Sequence, residues 1–89
     1  MIKTKIKITN KLGLHARASA KFVSTASRFQ SQIEVSKDSK TINGKSIMGV
    51  MTLAATKGSE LILQFEGPDE VEMEKAIVNL INNFFGETE

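Results

Sequence analysis

Residues 2–8 alternate without interruption: Ile2, Thr4, Ile6 and Ile8 fall on one side of a period of two, Lys3, Lys5 and Lys7 on the other. Alternation of this kind reads as a strand with one buried face and one wet face. The same rhythm returns twice. Ile33 and Val35 alternate with polar neighbours from Gln32 to Ser36, and Leu61, Leu63 and Phe65 alternate with Glu60, Ile62 and Gln64. A sheet that is wet on one face can take helices only on the other. The fold class is therefore α+β in two layers.

The stretches between the strands supply the helices. From Ala16 to about Arg28, Ser19, Phe22, Val23, Ala26 and Phe29 recur at three- and four-residue steps, with Arg17, Lys21, Ser24 and Arg28 on the outer face. Lys37, Asp38 and Ser39 form a turn, and Thr41 to Asn43 a short second arm, so residues 32–43 read as a hairpin that Gly44 ends. Ser46 is placed as the N-cap of a second helix through Ile47, Val50, Met51 and Ala54, stopped by Lys57 and Gly58. That helix is too short to bury Ile47, Met48, Val50 and Met51 together, so at least one of them is expected at the surface. After Gly67 and Pro68, Asp69 and Glu72 have the spacing of a capping box. Val71, Met73, Ala76, Ile77, Leu80, Ile81, Phe84 and Phe85 make a broad buried stripe on the last helix. Gly86 ends it, and residues 87–89 are expected to fray. The element order is strand, helix, strand, strand, helix, strand, helix, and pattern alone leaves the strand order open.

Composition narrows the chemistry. Eighty-nine residues, 40% of them hydrophobic, suffice for one domain, 1–89, with a core of its own. There is no cysteine and one histidine, so disulfides, thiolate sites and an ordinary zinc site are excluded; no metal and no other cofactor is expected. The first residues carry no signal-peptide run, and no segment approaches membrane-spanning length, which fits a cytoplasmic chain with no membrane insertion. A net charge of +2 with scattered lysines does not argue for nucleic acid, and the wet faces lack the aromatics an RNA-binding sheet needs.

The single histidine carries the strongest signal. His15 follows a strand-like run and Gly13, and stands where the first helix starts. Helix starts leave backbone amides without partners and favour anions. Arg17 adds a guanidinium whose forked donors suit phosphate oxygens. Near pH 7 an imidazole is partly neutral, with a nitrogen free to attack phosphorus. His15 and Arg17, with the backbone amides of Ala16, Arg17 and Ala18, form a candidate phosphoryl-accepting site.

The string Asn10-Lys11-Leu12-Gly13-Leu14-His15-Ala16-Arg17 resembles the active-site segment of the histidine-containing phosphocarrier (HPr) family of the bacterial phosphoenolpyruvate-dependent phosphotransferase system. Lys45-Ser46-Ile47-Met48-Gly49-Val50-Met51 resembles that family's regulatory serine segment, at the family's usual separation. The likeness covers essentially the whole chain. It implies an open-faced sandwich: a four-stranded antiparallel sheet of order 1-4-2-3 with three helices on one face. It further implies a carrier without turnover of its own, loaded at Nδ1 of His15 by enzyme I and unloaded to enzyme IIA in sugar uptake or its regulation. Arg17 would steady the phosphate, and Ser46 would be a site for HPr kinase/phosphorylase. Leu14, Ala20, Lys21, Ser24, Ser27, Ile47, Met48 and Met51 would form the docking surface of a monomer. Ala18 departs from the pattern, which has proline there, and a nitrogen-related or purely regulatory paralogue is the nearest alternative. A hydrolase of acyl phosphates built on Arg17 and an asparagine is a more distant one, and would show turnover alone.

Overall fold

A computed structural model describes residues 1–88 of the chain. The strands are β1 (Ile2–Lys7), β2 (Gln32–Lys37), β3 (Lys40–Asn43) and β4 (Glu60–Glu66); the helices are α1 (Ala16–Ala26), α2 (Ile47–Thr52) and α3 (Glu70–Asn82). The sheet has order β1-β4-β2-β3, every pair antiparallel. Register follows the alternation: Ile33 stands opposite Phe65, Val35 opposite Leu63, and Ile2 opposite Phe65 from the other side. A shift of one residue would turn all of these side chains to water.

The inner face of the sheet buries Ile33, Val35, Leu61, Leu63 and Phe65. The helices cover it with Phe22 and Ala26 from α1, Val50 from α2, and Met73, Ile77 and Ile81 from α3. Truncating a fully buried residue such as Phe22 to alanine costs about 3–5 kcal/mol in cores of this kind. No helix among the described residues is long and apolar enough to cross a membrane.

The structure differs from the sequence-based expectation at three helix ends. Helix α2 stops at Thr52 rather than near Lys57, and Ala54 is exposed with a left-handed φ of 50°. The reason is non-local: Lys40 and Lys37 of the hairpin donate to the carbonyls of Thr52 (3.1 Å) and Leu53 (3.2 Å), satisfying acceptors that a longer helix would have used. At the start of α3, Asp69 makes no side-chain capping bond, so the expected capping box with Glu72 is absent. Its carboxylate instead accepts from the Ser31 hydroxyl (2.5 Å), the Ser31 amide (2.8 Å) and the Gln30 amide (3.0 Å), pinning the α1–β2 loop. The Ser31 hydroxyl and the Gln30 amide hold this carboxyl below its ordinary pKa, although burial opposes them. Glu70, beside it, is held low by the hydrogen bond from the Met1 ammonium, again against burial.

The third difference lies at the C-terminus. Helix α3 ends at Asn82, and Phe84 (φ 56°) and Phe85 (φ 54°) both take left-handed backbone before Gly86 (φ 81°). Phe85 is fully buried, whereas Val71, placed on the buried stripe by its spacing, is 47% exposed. Ala76, Leu80 and Phe84 are half-buried. The chain thus hooks back instead of continuing outward, and Glu87 does not fray; Glu89 lies outside the described residues.

Candidate functional site

Gly13 sets up the site. Its φ is 66°, and a Cβ there would lie 2.4 Å from the Ala55 carbonyl oxygen, so both conformation and space call for glycine. The turn lets the Leu14 amide donate to Ala55 (2.9 Å), while the Leu14 side chain enters the core. Asn10, fully buried, donates through Nδ2 to the Gly13 carbonyl (2.9 Å).

His15 is then the N-cap of α1, in extended backbone (φ −75°, ψ −179°). Its carbonyl accepts from the Ser19 amide (2.8 Å), and its Nδ1 accepts from the Arg17 amide (3.2 Å). A backbone amide can only donate, so in the neutral ring Nδ1 carries the lone pair and Nε2 the proton. Nε2 meets Oε2 of Glu87 at 2.5 Å, consistent with that tautomer. The ring is therefore held at both nitrogens, yet its side chain keeps 28% of its surface open. The amides of Ala16 and Ala18 stand in the first turn, where no intrahelical acceptor exists. The Arg17 guanidinium is exposed and has no partner among the described residues.

Glu87 is the residue that sequence reasoning missed. Its Oε1 accepts from Asn10 Nδ2 (3.1 Å), and Lys21 secures the hook by donating to the Phe85 carbonyl (2.7 Å). Burial alone would raise the Glu87 carboxyl, but the hydrogen bonds from Asn10 and His15 and the charges of His15 and Lys21 outweigh it, holding the group below its ordinary value. Aiming Nδ2 at two acceptors leaves Asn10 Oδ1 buried without a partner among the described residues, an arrangement costing about 1–3 kcal/mol. Rotating the amide would set that oxygen against the Gly13 carbonyl and the carboxylate, which is worse. No local pattern marks Glu87; two left-handed phenylalanines are needed to bring it to His15.

The expected docking residues divide. Ala20, Ser24 and Ser27 are exposed on α1, and Ile47 (44%), Met48 (75%) and Met51 (41%) on α2, which packs against α1. Lys21 is half-buried, and Leu14, at 5% exposure, belongs to the core and offers no docking surface. Ser46 is the N-cap of α2: its hydroxyl accepts from the Gly49 amide (3.1 Å). Ala18 is fully buried at the third helical position.

The fold and site together define a small open-faced sandwich whose one histidine caps a helix, with the Nδ1 lone pair on the Arg17 amide. The family model for the PTS HPr component phosphorylation site matches residues 2–83. The phosphocarrier protein HPr of Neisseria meningitidis serogroup A is 55% identical over 89 residues, covering 100% of both chains, and that of Cupriavidus necator is 51% identical with the same coverage. Among solved structures, HPr-C-His from Thermoanaerobacter tengcongensis superposes with a TM-score of 0.96 at 53% identity over 100% of both chains. A Bacillus anthracis HPr does so at 0.86 and 40% identity over 90% of this chain and 95% of the other. The chain belongs to the HPr family of phosphocarrier proteins of the phosphotransferase system.

Proposed function

We propose that the chain accepts a phosphoryl group on Nδ1 of His15 from phospho-enzyme I and passes it to enzyme IIA, in sugar uptake or its regulation, without turnover of its own. The observation that carries this reading is the orientation of the ring: the Arg17 amide marks Nδ1 as the nitrogen with the lone pair, at the start of a helix whose first-turn amides have no intrahelical acceptor. An incoming phosphoryl group takes the place of the Arg17 amide at Nδ1, and the released amide joins the others in holding its oxygens. Such donors stabilise a loose, charge-spread transition state without covalent involvement.

Exposed Ala20, Ser24, Ser27, Ile47, Met48 and Met51, with half-buried Lys21 among them, support a transient docking surface for both partners, in a cytoplasmic chain acting as a monomer. One similar structure, from Thermoanaerobacter tengcongensis, is described as an HPr dimer, so the oligomeric state is to be measured alongside. Ser46 is the regulatory site. A phosphate added there by HPr kinase/phosphorylase would sit at the start of α2, tolerated by the fold, and repel an acidic partner. Incubation with phosphoenolpyruvate, magnesium and enzyme I tests the main reading. An acid-labile phosphate is expected on the wild type and absent from His15→Ala; equal labelling of the two would refute it.

A further inference from the structure

The Nδ1 side of the ring accounts for phosphoryl acceptance; the Nε2 side has no role in that account. Yet it is the more elaborately built of the two. Glu87 reaches Nε2 at 2.5 Å only because α3 is broken at Asn83 and two phenylalanines adopt left-handed backbone. The hook is fastened by Lys21 on the Phe85 carbonyl, and the carboxylate by buried Asn10, whose own carbonyl oxygen goes without a partner among the described residues. A carboxylate on the far nitrogen of an imidazole fixes the tautomer and makes the near nitrogen more basic, the same relation that orients histidines at other reactive centres.

We propose that Glu87 is a positioning residue for His15: it keeps the ring proton on Nε2 and balances the positive charge the ring acquires when Nδ1 bonds phosphorus. The inference rests on the carrier reading and deepens it. In the loading step the Nδ1 lone pair forms the N–P bond. The donor's bond to phosphorus breaks, and its electron pair leaves with the donor atom. The ring, still protonated at Nε2, becomes cationic, and the carboxylate stands against that charge. Unloading returns the electron pair to Nδ1 and leaves the Nε2 proton where it was. A neutral acceptor at position 87 could still take the Nε2 hydrogen bond but could not offset the charge. Hydrogen bonding and charge are therefore separable by substitution.

The test uses the full chain and its Glu87→Gln, Glu87→Ala and Glu87→Asp variants, with two readouts. The first is the His15 ring in the unloaded protein by proton and nitrogen NMR. The wild type is expected to show a strongly downfield Nε2 proton, which moves upfield in Glu87→Gln and is lost to exchange in Glu87→Ala. The second is the rate of loading by phospho-enzyme I at one pH. Glu87→Gln and Glu87→Ala are expected to load about tenfold more slowly, with Glu87→Asp in between. If Glu87→Ala perturbs folding, the isosteric glutamine variant decides. Loading of Glu87→Gln at the wild-type rate, or a wild-type ring with its proton on Nδ1, overturns the proposal while leaving the carrier reading intact. A wild-type chain that takes up no phosphoryl group at all overturns both.

Discussion

Two helices of this molecule begin in the same way and are put to different use. His15 and Ser46 are both N-caps whose side chains accept an amide of the first turn, from Arg17 at 3.2 Å and Gly49 at 3.1 Å. Ser46 caps a six-residue helix by a bond within its own segment. His15 caps an eleven-residue helix, and its ring is held a second time by Glu87, 72 residues away. A hydroxyl cap serves the helix alone. An imidazole is an uncommon choice of cap, and here the cap bond fixes which ring nitrogen carries the lone pair. The start of α3 is a third variant: Asp69 spends its carboxylate on a neighbouring loop and leaves the helix end uncapped by its side chain.

The sharpest way to break this contrast is to disturb the distant support of His15. Gly13→Ala places a methyl group 2.4 Å from a backbone oxygen at a left-handed φ, so a loss of about 2–4 kcal/mol is expected in urea unfolding, with slowed loading. Unchanged stability would mean that the Gly13 turn does not hold the site. Substitutions at Ser46 separate its capping bond from the regulatory role proposed for it. Ser46→Ala should lose about 1 kcal/mol of stability and load His15 normally. Ser46→Asp, which keeps a good cap and adds charge, should keep its stability and load about three- to tenfold more slowly. Equal loading rates for the two variants would remove Ser46 from regulation. The smallest effect is expected at Ala18. Ala18→Pro removes one amide from the first turn of α1, where proline is conformationally acceptable, and should modestly shorten the lifetime of the phosphohistidine. A longer lifetime would show that the Ala18 amide does not hold the phosphate.

What could be read in the sequence, and what could not, divides along the same line. Strand alternation, the helix start at His15 and the cap at Ser46 are local, and each is legible within a few residues. The strand order came from the resemblance to a family and not from the pattern. Three features depend on partners far along the chain: the early end of α2 under Lys37 and Lys40, the diversion of Asp69 to Ser31, and the hook that returns Glu87 to His15. The last was also concealed by propensity. Phe84 and Phe85 continue an apolar helical spacing, and nothing in that spacing announces left-handed backbone. Burial of Phe85 and the Lys21 bond to its carbonyl hold a conformation that local preference opposes.

The central claim is that the helix start selects one ring nitrogen for phosphoryl acceptance. Loading nitrogen-15-labelled protein with phosphoenolpyruvate, magnesium and enzyme I, then reading the phosphorus–nitrogen coupling by NMR, tests it most directly. Phosphorus is expected on Nδ1 of His15, with Nε2 still protonated. Phosphorus on Nε2, or on any residue other than His15, would contradict the account.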